Sequence, residues 1–341
     1  MKRVHFATLQ PRCVVCREAP LAITSAIRER DDDILEGIVG CTNAQCRREY
    51  PIVDGIPILV AAIRAWLNAN ALQVLKRDDL SSEIESLLGD ALGPGSQFDT
   101  LRQHVGIYAY DHYESKESAV LALLDVGAAA LGATATAEGS GRHIIDIGCS
   151  VGRTTFELAA RFAQLTVGID LNFAMLRVAS QALREGRVRY ARRRVGLAYD
   201  QREIDVDLPA RELVDFWCCD AGALPFRDST FATASMLNVI DCVAAPRDTL
   251  AECARILRAG GNVLIATPYD WAPTATPVEQ WLGGHSQRSP LRGASEPALQ
   301  ALLHEMKFEI VAERDQMPWR LRLHDRSAVD YSVHVIAAKR T

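Results

Sequence analysis

At 341 residues the chain has room for a large α/β domain with its own core and a smaller appendage. Its 48% apolar and 24% charged composition is that of a soluble globular protein, and no apolar run approaches the roughly 18 residues of a membrane-spanning helix. A formal charge of −5 argues against nucleic-acid binding by bulk electrostatics and favours a small-molecule or protein substrate. Met1-Lys2-Arg3 is not followed by a signal-peptide core, so the expected location is cytoplasmic, where nine cysteines are many unless some hold metal.

Four cysteines form two close pairs, Cys13-Val-Val-Cys16 and Cys41-Thr-Asn-Ala-Gln-Cys46, separated by 24 residues. Thiolate pairs on tight knuckles close a tetrahedral zinc site, and so short a segment has little core of its own. A zinc ribbon is therefore expected over residues 1–62, with Cys13, Cys16, Cys41 and Cys46 as ligands; four protein ligands make the zinc structural. Free buried thiols are the alternative. The following Arg48-Glu49-Tyr50-Pro51-Ile52-Val53-Asp54-Gly55-Ile56-Pro57 resembles the tyrosine-proline and Asp-Gly-Ile-Pro signature of the Trm112-like zinc-ribbon family. Members of that family are small partners that activate methyltransferases. The resemblance implies such a module fused in one chain, and a surface for a protein partner.

Residues 63–105 read as a helical linker. Ala61 to Lys76 and Ser81 to Leu88 carry apolar residues at helical spacing, Ser81 and Ser82 serve as caps, and Gly93-Pro94-Gly95-Ser96 breaks the chain. The main domain is expected over 106–341. It begins with the aromatic stretch Ile107 to Glu114, whose Tyr110, His112 and Tyr113 line either a ligand pocket or a patch packed between ribbon and domain. A helix from Ser118 to Leu131 follows.

His143-Ile-Ile-Asp146-Ile-Gly148-Cys149-Ser-Val-Gly152-Arg153 then reads as a buried strand, a glycine turn and the start of a helix. Glycines at 148 and 152 let backbone N–H groups approach a ligand beside a helix N-terminus. A second apolar strand ends in Asp170, roughly 20 residues past the turn, where a carboxylate accepts hydrogen bonds from a ribose. The turn lacks the Gly-x-Gly-x-x-Gly spacing of dinucleotide-binding dehydrogenases. It resembles motif I of the class I S-adenosylmethionine-dependent methyltransferases.

That resemblance implies a Rossmann-like α/β fold with a mostly parallel seven-stranded sheet, and S-adenosylmethionine held by Asp146, Gly148, Cys149, Gly152, Asp170, Leu171, Asp220, Ala221 and Asn238. Here Asp220 takes the place of the acid that accepts from adenine. The basic run Arg187 to Arg194 is either a solvated face or a phosphate contact. Residues 195–214 look like an insertion. The strand ending at Leu237 delivers Asn238 and Asp241 to the edge where open α/β sheets bind ligands. The helix from Pro246, the Gly260-Gly261 turn and the next strand strengthen the same resemblance.

Over residues 143–341 the chain also resembles the methyltransferase domain of ovothiol biosynthesis, through the glycine turn, Phe156 to Ala159 and the later aromatic segments. The loop from Asn172 resembles carnosine N-methyltransferases. Both imply an imidazole of a small histidine-derived substrate as methyl acceptor. Asp241, Tyr269 and His324 are then candidates for taking the proton. Tyr110, His112, Tyr113, Trp271 and Tyr331 would frame the substrate, and Arg322 would grip its carboxylate. Two rival readings remain: a tRNA or protein methyltransferase using the ribbon for recognition, and a non-catalytic cofactor-binding scaffold.

Overall fold

The computed structural model describes residues 1–131 and 143–341. The N-terminal segment consists of a short helix α1 (Arg3–Leu9) and an antiparallel meander, β1 (Leu21–Arg30), β2 (Asp33–Cys41), β3 (Glu49–Val53) and β4 (Ile56–Leu59). Three helices follow, α2 (Ile63–Leu75), α3 (Ser82–Leu92) and α4 (Gln97–Ala109). Ser81 caps α3 by accepting from the Ile84 N–H, and Ser96 caps α4 by accepting from the Asp99 N–H. The aromatic stretch ends α4 and continues as one wide π-type turn, Tyr110–Glu114, leading to α5 (Ala119–Leu131).

The parallel strands are β5 (His143–Ile147), β6 (Thr166–Asp170), β9 (Val214–Cys219), β10 (Phe231–Leu237) and β11 (Leu257–Thr267). The helices α6 (Arg153–Phe162), α7 (Phe173–Glu185) and α8 (Pro246–Ile256) connect them, and α9 (Glu296–Glu305) precedes a long antiparallel hairpin, β12 (Phe308–His324) and β13 (Ser327–Arg340). Asn172 caps α7 through bonds from the Ala174 and Met175 N–H groups, at 3.1 and 3.2 Å. The expected insertion and the arginine run before it form a separate hairpin, β7 (Arg187–Val195) and β8 (Ala198–Asp205). Alternate residues Val188, Tyr190 and Arg192 of β7 are buried, as a strand's two-residue period requires.

The sheet has eleven strands where seven were expected. Its order is β1-β2-β3-β4-β9-β6-β5-β10-β11-β13-β12. The last seven are the expected sheet; the other four are the N-terminal meander, joined because β4 runs parallel to β9 with Ile58 opposite Cys218 and Leu59 opposite Cys219. The cores merge as well. Phe6 of α1 packs on Trp217 of β9, which stacks on Phe226 at 5.4 Å between ring centroids, and Phe226 meets Phe231 edge-on. The opposite face packs Phe156, Phe173 and Phe216 with Ile56 and Ile58 of β4. No described helix is long and apolar enough to cross a membrane.

Candidate active site

The glycine turn sits at the carboxyl edge of β5, held from below. Asp146, almost fully buried, accepts hydroxyl bonds on Oδ2 from Thr154 at 2.5 Å and Thr155 at 2.8 Å, and on Oδ1 from Ser235 at 2.5 Å. Burial raises its pKa while the three hydroxyls pull it down. With both oxygens occupied, Asp146 ties β5, β10 and the start of α6 together beneath the turn. Both turn glycines have positive φ, +73° at Gly148 and +91° at Gly152. A Cβ at Gly152 would lie 2.6 Å from Phe216 and 2.7 Å from Ala179, and one at Gly148 would strike Val239. These glycines are demanded by packing under the turn as much as by an approaching ligand. The Cys149 thiol is buried and its N–H donates to the Ile169 carbonyl at 2.9 Å.

Asp170 closes the turn from the side. Its Oδ2 accepts from the Ser150 N–H at 2.9 Å and its Oδ1 from the Asn172 N–H at 2.8 Å, while burial raises its pKa. Leu171 next to it is exposed. At the end of β9, Asp220 Oδ1 accepts from the Gly222 N–H at 2.9 Å and Ala221 packs against the core. Asn238, at the end of β10 with φ +56°, donates its N–H to Ala266 at 2.7 Å. Its side-chain Oδ1 is buried without a partner among the described residues. Asp170, Asp220 and Asn238 thus stand at the carboxyl ends of three parallel strands, two of them adjacent, on one edge of the sheet, where open α/β sheets bind ligands.

Asp241 completes that edge. It is 1% exposed; its Oδ2 accepts from the Asp270 N–H at 2.8 Å, and its Oδ1 has no partner among the described residues. Burial pushes its carboxyl up to about 6. The charges of Asp170, Asp241, Cys242 and Tyr331 also bear on Tyr108, whose burial raises its own hydroxyl. Tyr331 stacks on Trp319 at 5.2 Å, and burial and the neighbouring Asp270 push its phenol up to about 12. Tyr108, Cys242 and Asp270 were not singled out from the sequence. Tyr108 lies within the aromatic stretch, in the last turn of α4 just ahead of the π-type turn.

The other candidates are dispersed. Tyr269 donates to or accepts from His334 Nδ1 at 2.7 Å, and His334 Nε2 meets Glu313 at 2.6 Å, so its hydroxyl is committed to a chain across β11, β13 and β12. His324 lies in the hairpin turn, where its Nδ1 accepts from the Arg326 N–H. Seven residues of β13 separate Ser327, its partner, from His334, a span of about 23 Å in a strand. His324 and Tyr269 are therefore apart, and as candidate proton acceptors they are alternatives. Arg322 is exposed, and its carbonyl accepts from Arg192 at 3.2 Å. The buried guanidinium in this region is that of Arg192, 4.1 Å above the Tyr110 ring.

Tyr113 donates to the Val151 carbonyl at 2.7 Å, pinning the π-type turn over the glycine turn. His112 is buried beside it, and burial lowers its pKa to about 3, so the ring is neutral. Trp271 is stacked on Trp281 at 5.9 Å and bonded to Ser295, leaving it a packing role against the segment before α9.

The four cysteine sulfurs of the N-terminal segment lie within 4.8 Å of one another. Zinc–sulfur bonds of about 2.3 Å place tetrahedral ligands about 3.8 Å apart. Cys13 and Cys46 are 3.7 Å apart, as are Cys16 and Cys41. That spacing is too long for disulfides, and no cysteine is paired in one. The Tyr50 hydroxyl, 3.4 Å from Cys13 Sγ, and the Asn43 N–H, 3.4 Å from Cys41 Sγ, are donors suited to thiolates.

Residues 145–265 match the family profile described as a methyltransferase domain. Over 177 residues the chain is 28% identical to the O-methyltransferase cnsE of Penicillium expansum, covering 51% of this chain and 55% of that one. Over 128 residues it is 30% identical to the ubiquinone biosynthesis O-methyltransferase of Stutzerimonas stutzeri, covering 38% and 45%. The chain thus spans about half the length of the curated relatives it matches. Among solved structures, an S-adenosylmethionine-dependent methyltransferase of Methanosarcina mazei aligns over 60% of this chain and 94% of its own, with 22% identity and a TM-score of 0.40. Strand order and the profile match agree in likening residues 145–265 to a methyltransferase domain on a Rossmann-like parallel sheet.

Proposed function

We propose that the chain transfers a methyl group from S-adenosylmethionine to a hydroxyl of a small molecule, with Asp241 accepting the proton. The observation that carries this reading is the buried, unpartnered Oδ1 of Asp241 at the end of β10, on a carboxyl raised to about 6 and flanked by Asp270 and Tyr331. When bound, S-adenosylmethionine supplies an electrophilic methyl on a sulfonium. The chain's residues have only to align the acceptor and remove its proton. Asp170, Asp220 and the Asn238 Oδ1 hold the cofactor in the crevice, and Tyr108 and Tyr331 face the acceptor. A hydroxyl acceptor is supported by the names of the relatives, O-methyltransferases both.

A second reading, an imidazole nitrogen of a histidine derivative, is favoured by the resemblance of residues 143–341 to histidine-directed enzymes; Asp241 would serve it equally. Mass-spectrometric detection of label from isotopic S-adenosylmethionine, offered with phenols, histidine, thiolated histidine and carnosine beside bulk tRNA and protein, separates these. Label on a phenol is the expected outcome, label on an imidazole compound selects the second reading, and label confined to tRNA or protein overturns both.

The Cys13, Cys16, Cys41 and Cys46 cluster is proposed to hold one structural zinc. Its sulfur spacing supports this, as does the lack of any open ligand position for catalysis. Elemental analysis should find one zinc per chain, falling to none in a Cys41→Ser, Cys46→Ser variant.

A further inference from the structure

Away from the cofactor crevice, a cavity of about 130 Å³ lies between the helices α2, α3 and α4 on one side and α7 with the β7–β8 hairpin on the other. Six cationic side chains line it against three acidic ones. Most of the cations are satisfied. Arg177 bonds Asp54 and the carbonyls at the end of α2, Arg184 bonds the Asp54 carbonyl and Ser180, and Arg189 bonds the Asp78 and Leu80 carbonyls.

Arg102 is different. Its side chain is only 4% exposed, yet Nε and Nη2 have no hydrogen-bond partner among the described residues. The guanidinium is held near the Phe98 and Tyr199 rings, at 4.7 and 4.0 Å. The nearest carboxylate to it, Asp99, stands 3.9 Å away and already accepts from the Gly95 N–H, Gln103 and the Tyr199 hydroxyl. Lys76 lies over the same Phe98 ring at 5.1 Å, and its ammonium meets Glu85 at 3.6 Å, beyond hydrogen-bond length. Burial, with Arg177 and Arg102 close by, lowers the Lys76 pKa. An unpartnered guanidinium and an ammonium with one ion-pair partner therefore line the same partly open cavity. Leaving buried donors unmade costs about 1 to 3 kcal/mol each, more when charged, so such a pair is poised for an anion.

We propose that this cavity binds a small oxyanion, a phosphate or carboxylate head group, between Arg102 and Lys76. A volume of about 130 Å³ admits a phosphate or a short dicarboxylate. Ala174 and Val178 of α7 form part of the wall, so the bound anion would clamp the α2–α4 helices onto the helix that follows Asp170.

The test is titration calorimetry on the intact zinc-loaded protein, using inorganic phosphate and malonate at matched ionic strength with chloride as control. Saturable binding of at least one, weakened at least about tenfold by Lys76→Gln and by Arg102→Gln, is expected. Phosphate alone binding identifies a phosphoryl ligand; malonate alone identifies a carboxylate. Lys76 is partly exposed, so Lys76→Gln tests the site even where Arg102→Gln does not fold. No saturable binding in the millimolar range, or binding unchanged by Lys76→Gln, overturns the proposal. Because the cavity is separate from the crevice, either result is independent of whether methyl transfer is detected.

Discussion

Asp241 carries opposite consequences for activity and stability. As a base it works only when ionised, so kcat/KM should fall with unit slope as pH drops through about 6. Its folded pKa lies above the ordinary 3.8, so the fold favours the protonated form. That stabilisation is complete below pH 3.8 and is lost as pH rises through about 6. Asp241→Asn should therefore cut turnover by about 10² to 10⁴, remove the acidic limb and leave S-adenosylmethionine affinity nearly intact. It should also raise the melting temperature at pH 7.5. A pH–rate profile beside calorimetry on the two proteins checks both; a variant with normal turnover would refute the assignment. Gly152→Ala should act elsewhere, forcing a Cβ against Phe216 and Ala179 at φ +91°. We expect about 2 to 4 kcal/mol of destabilisation in urea unfolding, with weakened cofactor binding.

At the level of elements, what was legible from sequence was what is local. The β5 strand, its turn and α6 are written in a contiguous apolar run and two glycines, and the Ser81 cap in a single residue. What was not legible depends on register between distant strands. His324 and Tyr269 look like neighbours in chemistry, but the β12–β13 pairing sends one to a hairpin turn and engages the other with His334. The arginine run before β8 likewise hid a strand. Apart from Arg192, which lies over Tyr110, its charges are engaged by Glu203, Asp205, Gln103 and Asp200 and by the carbonyls before α3, which no charge count reveals. Arg177 shows how such pairing locks elements together, since it joins α7 to Asp54 and to three carbonyls of the α2 end. Arg177→Ala should destabilise the protein by about 2 to 4 kcal/mol and speed hydrogen exchange over residues 63–76, measured by mass spectrometry.

For the whole molecule, the extra strands change what metal loss should do. A ribbon tethered by a linker would unfold alone. Here β4 is hydrogen-bonded to β9 and Phe6 packs on Trp217, so chelation of zinc should lower the melting transition of the entire chain. It should weaken S-adenosylmethionine binding too, because β9 carries Asp220 at its end. Calorimetry with and without a chelator checks this, and an unchanged main transition would show that the two parts fold separately. Seven strands were foreseen because the resemblance covers the catalytic half alone; the β4–β9 junction joins residues about 160 positions apart and has no local signature.

The same junction settles a matter of stoichiometry. The flank of β9 is an unpaired row of backbone donors and acceptors unless another strand covers it. In this chain the covering strand is attached covalently, and tethering sets an effective concentration that reaches millimolar for short flexible connections. A free ribbon from elsewhere in the cell would have to outcompete that to take the place of β4. One copy of the N-terminal meander per parallel sheet is thereby fixed at synthesis, without dependence on the abundance of a second polypeptide.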